Sequence, residues 1–220
     1  MLELGALTKH TPDIILPSNP CKGDNGQKLI LIGSSTGGVE ALTRIIPKLP
    51  KGLPPVVIVQ HIPVGFSGSF AQRLNHLSTI SVLEVADVVT LQHSHAYIAT
   101  GDKHLVIKVK NNQYIAQSVD GEKVSRHKPS VDVLFRSGNN AAGKNALAII
   151  LTGMGDDGSI GIKELHDNGA HTIAQSEESC VVFGMPKQAI ARGAIDEVIH
   201  LDHIADCIVK FCKQSQCKNS

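Results

Sequence analysis

The sequence contains no tryptophan, and aromatic residues make up only 3% of its 220 positions. Nucleic-acid binders lean on stacking aromatics and a basic excess. Here Lys and Arg number 21 against 20 Asp and Glu, so bulk electrostatics argue against a nucleic-acid partner. No apolar run approaches the roughly 20 residues that a membrane-spanning helix needs. Segment 1–19 contains Ile14, Ile15 and Leu16 but no stretch long enough for the apolar core of a signal peptide. The five cysteines are odd in number and form no paired framework. Cys207, Cys212 and Cys217 sit five apart, which is not zinc-ligand spacing. These absences point to a cytoplasmic protein with reduced thiols, no metal and no membrane insertion.

What remains is an ordinary globular balance, 42% hydrophobic and 19% charged, enough to fill one core. Residues 1–27 lack a period and contain Pro12, Pro17, Pro20, Gly23 and Gly26, which reads as a flexible leader. The folded block is expected over 28–212, and the polar end, 213–220, as a frayed tail. Within the block, short apolar runs alternate with helical patterns. Leu29 to Ile32, Val56 to Val59 and Ala146 to Leu151 are continuous apolar runs, the mark of strands buried on both faces. Helices are expected over Val39–Ile46, Ser69–Leu77, Gly161–Asn168 and Asp202–Phe211, and later strands over His171–Ala174 and Ile195–Ile199. Strands that alternate with helices imply crossover connections and a parallel sheet. The middle differs: Tyr97–Thr100, Leu105–Val109 and Tyr114–Gln117 are short runs separated by Gly101-Asp102 and Asn111-Asn112, the pattern of hairpins. The fold class is therefore α/β: a doubly wound, mostly parallel sheet with an antiparallel β-hairpin at one edge.

In such a sheet, ligands bind beyond the carboxyl ends of the strands. The first apolar run leads into Gly33-Ser34-Ser35-Thr36-Gly37-Gly38, the second into Gln60-His61-Ile62-Pro63, and the third into Thr152-Gly153-Met154-Gly155-Asp156-Asp157-Gly158. A serine, a histidine and an aspartate thus fall at one sheet edge, and these are the parts of an acyl-transfer triad. The serine segment matches G-x-S-x-G between a strand and a helix, with Ser35 rather than Ser34 in the nucleophile register. The helix start after it offers free N–H groups, which makes the Thr36 amide, with that of Met154, a candidate oxyanion donor. In the mechanism this implies, His61 takes the Ser35 proton, returns it to the leaving group, and is oriented by Asp157.

Blander readings stand beside each of these. The serine loop alone also suits a phosphate-binding turn at a helix start, although it lacks a P-loop lysine and dinucleotide spacing. His61 alone could be satisfied by backbone, and Asp157 alone reads as a turn or helix-cap residue. A non-catalytic module binding phosphate or a partner on this fold is the alternative function. Arg126-His127-Lys128-Pro129-Ser130-Val131-Asp132 precedes a helix; Arg126 is a candidate for a substrate carboxylate, against a solvated loop with Ser130 as N-cap. Cys180, among apolar neighbours, reads as an inert thiol.

These blocks together resemble the catalytic domain of the chemotaxis protein-glutamate methylesterases, the CheB family. The resemblance runs from about Lys28 to about Lys210. It rests on Gly33 to Gly38, Gln60 to Pro63 with Gly65-Phe66, Tyr97 to His104, Arg126 to Phe135, Leu151 to Gly158, and Ala174-Gln175 with Ser179 to Pro186. It implies a serine hydrolase that removes methyl esters from glutamates of chemoreceptors and, in many relatives, deamidates certain glutamines. It places nucleophile, base and acidic partner on Ser35, His61 and Asp157, and the oxyanion region near Thr36 and Met154. It implies no cofactor. Ser34 stands where an alanine is common, Thr100 where a proline is common, and Asp156 where other residues are frequent. Many relatives carry an N-terminal receiver domain; the 27 residues before this block are too few for one, so the expectation is a chain that is constitutively active, controlled by a separate regulatory partner, or cut from a longer parent.

Overall fold

The continuous apolar runs lie in a sheet that is covered on both faces. The computed structural model describes residues 9–23 and 26–213; residues 1–8 of the expected leader and 214–220 of the expected tail lie outside these. In chain order the elements are β1 (Leu29–Ser34), α1 (Gly38–Ile45), β2 (Val56–Gln60), α2 (Ser67–Leu77), β3 (Ser81–Val85), β4 (Val88–Thr90), β5 (His95–Ala99), β6 (His104–Lys110), β7 (Gln113–Val119), α3 (Val131–Ala141), β8 (Ala146–Ile150), α4 (Ser159–Asp167), β9 (His171–Gln175), α5 (Met185–Ala191), β10 (Glu197–Ile199) and α6 (Leu201–Lys213). Seven strands form the main sheet in the order β10-β9-β8-β1-β2-β5-β3. Every pairing in it is parallel.

Side chains of successive strand residues point to opposite faces, and the two cores follow that alternation. Ile30, Ile32, Val56, Ile58, Leu147 and Ile149 face the layer formed by α1, α2 and α6. Leu29, Leu31, Val57, Val59, Ala148 and Ile150 face the layer that contains α3, α4 and α5. The chain runs outward from β1 through β2 to β3 at the edge, fills in β5 between β2 and β3, then returns to add β8, β9 and β10 on the other side. The order therefore reverses beside β1, and the carboxyl ends of β8, β1 and β2 open onto the crevice where such folds bind ligands.

The antiparallel insertion is a separate three-stranded sheet, β4-β7-β6. Its hairpin turns at Asn111 and Asn112, both with positive φ (51° and 58°), as the paired asparagines predict. The run beginning at Tyr97 corrects the sequence expectation, because it joins the parallel sheet between β2 and β3 instead of the hairpin. Ala96, Tyr97, Ile98 and Ala99 are all buried, which suits a two-faced parallel strand and not a half-solvated hairpin. The sequence expectation also passes over β3, β4 and α5.

The described part of the leader follows α3. His10 forms a β-bridge with Val124. The Asp13 carboxylate pairs with Arg136 at 2.7 Å, the Pro17 carbonyl accepts from Asn140 at 2.9 Å, and Cys21 N donates to the Asn139 carbonyl at 3.0 Å.

One close approach fixes the start of α3 against the sheet. A Cβ on Gly33, in β1, would lie 2.1 Å from Cγ1 of Val131, the first residue of α3. Gly33→Ala should therefore cost about 1–3 kcal/mol through overpacking, measured by urea unfolding followed by circular dichroism. Adding Val131→Ala should recover part of that loss; an unaltered midpoint for Gly33→Ala would show that the contact is not tight.

Candidate active site

The parallel register pairs Ser34 with Gln60, so the chain leaves β1 and β2 with Ser35 beside His61. The two serines face different surroundings. Ser34 is fully buried and its hydroxyl donates to Gln60 Oε1 at 2.6 Å. Ser35 is partly exposed. Gln60, itself buried, ties the two strand ends together: its Nε2 donates to the Ser35 carbonyl at 2.9 Å and to the His61 carbonyl at 2.8 Å. Ser35 N donates to the Thr152 carbonyl at 3.0 Å, which draws in the loop after β8. That loop comes so close that a Cβ on Gly153 would meet Ser35 Cβ at 2.7 Å and Met185 Sδ at 2.3 Å.

His61 Nε2 lies 2.8 Å from Asp157 Oδ2. A carboxylate only accepts, so this nitrogen carries the proton and Nδ1 carries the lone pair of the neutral ring. Nδ1 is buried and, among the described residues, has no hydrogen-bond partner. Asp157 has no exposed surface. It accepts from Val131 N at 2.7 Å and Asp132 N at 3.0 Å, the first amides of α3, and from the Ser130 hydroxyl at 2.7 Å. Burial alone would raise its pKa, but the bond to His61, that ring's charge, and the two amides outweigh burial and hold it below the usual carboxylate range.

Asp132 mirrors this arrangement. Its Oδ1 accepts from Ile160 N at 3.0 Å and Gly161 N at 2.9 Å, amides of the first turn of α4, and its Oδ2 accepts from the Ser125 hydroxyl at 2.7 Å. Burial and then the neighbouring charge of Asp157 raise its pKa to about 7. Behind Ser130, His104 is buried, with Nε2 donating to the Glu122 carbonyl at 2.8 Å and Nδ1 accepting from Ser130 N at 3.2 Å. Burial pushes its pKa down, so it stays neutral and can serve both partners.

His127 stacks on His61, with ring centroids 3.8 Å apart and planes 6° from parallel. His61, His127 and Asp157 each offer a ligand atom within 4.8 Å of the others. Imidazole lone pairs lie in their ring planes, however, and near-parallel planes do not converge on one ion. A shared metal would require one ring to leave the stack.

The remaining predicted residues surround this cluster. Arg126 is exposed and, with His61, Pro63, His127 and Lys128, lines a cleft of about 260 Å³. A larger hollow of about 560 Å³, between Ile15, Leu16 and the β6–β7 hairpin, shares no lining residue with that cleft. Thr36 and Met154 are exposed, and among the described residues their amides have no acceptor. Cys180 is half-buried, and burial raises its thiol to about 11, so it carries no thiolate at neutral pH. Ser130 caps α3, accepting from Val133 N, as the sequence suggests. Gln60, His104, His127 and Asp132 contact the cluster, and spacing alone passes over them. For Gln60, His104 and Asp132 the signal in the sequence is a polar residue at a strand end or helix start next to an apolar run; His127, in a loop, has no such signal.

A doubly wound sheet with a serine turn beside a buried histidine–aspartate pair at its switch point has the layout of an acyl-transfer hydrolase. Residues 30–208 match the family model described as CheB methylesterase, and the chain belongs to that family. It is 49% identical over 206 residues, 93% of its length, to a protein-glutamate methylesterase/protein-glutamine glutaminase of Geobacter metallireducens, covering 58% of that protein. It is 55% identical over 184 residues, 84% of its length, to one of Chromobacterium violaceum, covering 52%. The chain thus spans somewhat more than half the length of these curated relatives. The crystal structure of the Thermotoga maritima CheB methylesterase catalytic domain superimposes with a TM-score of 0.81 at 39% identity, covering 84% of this chain and 98% of that one.

The raised pKa of Asp132 makes stability depend on pH. The folded state holds its proton up to about pH 7, whereas the unfolded chain releases it near 3.9. Its contribution is thus full below about pH 4 and is lost as pH rises to about 7, with a slope of at most about 1.4 kcal/mol per pH unit. Denaturant titrations at several pH values between 4 and 7 should show wild type losing stability relative to Asp132→Asn as pH rises. Parallel profiles would show that Asp132 is ionised throughout.

Proposed function

We propose that this chain hydrolyses methyl esters of protein glutamate side chains, with Ser35 as nucleophile, His61 as general base and acid, and Asp157 as the partner that orients and stabilises the histidine. The observation that carries this reading is the His61–Asp157 bond, which leaves Nδ1 without a hydrogen-bond partner among the described residues, on a strand end that adjoins the one leading into Ser35. The proton assignment reverses that of the chymotrypsin triad, where Nδ1 faces the aspartate. The chemical role is the same: the nitrogen turned away from the carboxylate takes the proton.

In this mechanism Ser35 Oγ attacks the γ-carbonyl as its proton moves to His61 Nδ1. The oxyanion is met by the Thr36 and Met154 amides, which have no acceptor among the described residues. Asp157, held ionised by His61 and the α3 amides, stabilises the imidazolium. His61 then protonates the departing methoxide, which leaves as methanol. Water attacks the glutamyl-enzyme with His61 again as base, and the product is a carboxylate. A glutamine would follow the same path with ammonia as the leaving group, in line with the double name of the relatives.

The rim supports a protein substrate. Val64, Phe66, Met154 and Val181 are exposed apolar side chains on loops that follow β2, β8 and β9, more than a small ester would need. We propose the cytoplasmic parts of methyl-accepting chemoreceptors as that substrate, and Arg126 as a contact for its carboxylates. An anion cradle alone would make no use of the His61–Asp157 pair.

Methanol release from methylated chemoreceptor membranes tests the reading. Ser35→Ala should lower turnover by about a million-fold, while Ser34→Ala, which loses one buried hydrogen bond, should stay within about tenfold of wild type. Loss with Ser34→Ala instead would move the nucleophile; retention by both would remove the triad.

A further inference from the structure

We propose that His127 is a positioning residue of the triad: its flat, neutral ring sets the plane of His61 and underlies the imidazolium that forms when Ser35 is deprotonated. This inference rests on the triad reading above and adds to it a residue with no part in the proton transfer.

A single hydrogen bond fixes one atom. The bond from Nε2 to Asp157 holds that end of the His61 ring but leaves the ring free to swing about it, and Nδ1 has no described partner to stop the swing. A parallel ring at 3.8 Å removes that freedom. The stack works only if His127 is itself fixed, and its surroundings are built for that. Its Nδ1 donates to the Ser125 carbonyl at 2.7 Å. Its backbone exchanges hydrogen bonds with Val124, at 2.8 and 3.1 Å. Ser125 is anchored at every polar atom: its N donates to the His10 carbonyl at 2.9 Å, its hydroxyl to Asp132 at 2.7 Å, and its carbonyl accepts from His127. Ser125 and Arg126 both have left-handed backbones, φ 48° and 70°. Non-glycine residues persist in that region only where surrounding contacts hold them there, commonly beside functional sites.

The charge argument points the same way. A cation over the face of a neutral ring is stabilised, whereas two facing imidazoliums repel. Burial, and then the nearby positive charge of His61, lower the His127 pKa, so its ring stays neutral when its neighbour accepts a proton. His127 Nδ1 is also 3.9 Å from Asp157 Oδ2, outside hydrogen-bond range, so it does not compete with His61 and Val131 N for that oxygen.

The test uses phosphonylation of Ser35 by a fluorophosphonate probe, which needs an activated serine but not the natural substrate. Wild type should label and Ser35→Ala should not. His127→Ala should lower the maximal labelling rate about tenfold with little change in the half-saturating probe concentration. His127→Phe, which restores a flat ring but not the Ser125 bond, should recover to within about threefold of wild type. His127→Gln offers an amide to Ser125 without a ring, and it should be as slow as His127→Ala. Thermal unfolding identifies any variant that does not fold, and His127→Gln then stands in for His127→Ala. Wild-type labelling with His127→Ala and His127→Gln at the wild-type rate overturns the positioning role alone. So does a His127→Phe that is folded but as slow as alanine. Absence of labelling in wild type, or equal labelling of Ser35→Ala, overturns the triad reading and this inference with it.

Discussion

Two carboxylates are buried against each other, and each satisfies the helix that the other begins. Asp132 opens α3 and accepts amides of α4; Asp157 precedes α4 and accepts amides of α3. A buried charge is costly unless its lone pairs are filled, and a helix start exposes amides that need acceptors. Each problem here solves the other. The lock requires α3 and α4 to lie close, and the absence of a side chain at Gly161 permits it: a Cβ there would fall 2.7 Å from Phe135 Cβ and 2.8 Å from the Asp132 carbonyl. Asp157, which bonds His61, is therefore also a fastener of the fold. Removing its charge would unsettle the start of α3 as well as the histidine, so loss of activity at Asp157 alone says little about chemistry.

The architecture was readable wherever burial on two faces leaves a continuous apolar run. Leu29 to Ile32, Val56 to Val59 and Ala146 to Leu151 all lie at the sheet's centre, and the residues after them converge because parallel strands end on one edge. Asn111-Asn112 marked its hairpin because that turn needs two positive φ angles. Tyr97 to Thr100 misled because a short run beside a hairpin looks like part of it; its neighbours in space, β2 and β3, were set by tertiary packing.

The site was legible only in part for a related reason. Ser35 and His61 stand immediately after strands and Asp157 ends the loop between β8 and α4, where position in the sequence predicts position in space. His127 sits in a loop whose path depends on His10, Ser125 and Asp132 together, and no local period encodes that. Gln60 reads as the polar end of an apolar run; only the strand register shows one amide reaching two carbonyls. In the leader, Asp13, Pro17 and Cys21 make polar contacts with α3 that composition cannot reveal.

The strand order has a consequence for how the molecule breathes. β8, β1 and β2 are interior strands, with β9 and β10 beyond them on one side and β5 and β3 on the other. Amides open most readily at sheet edges, and β10, with its largely exposed residues, is one such edge. Fraying there must cross β9 before it disturbs the strands that carry Ser35, His61 and the Asp157 loop. The strands that carry these residues are thus buffered from the frayed edge, and sequence change at the rim can accumulate without loosening them.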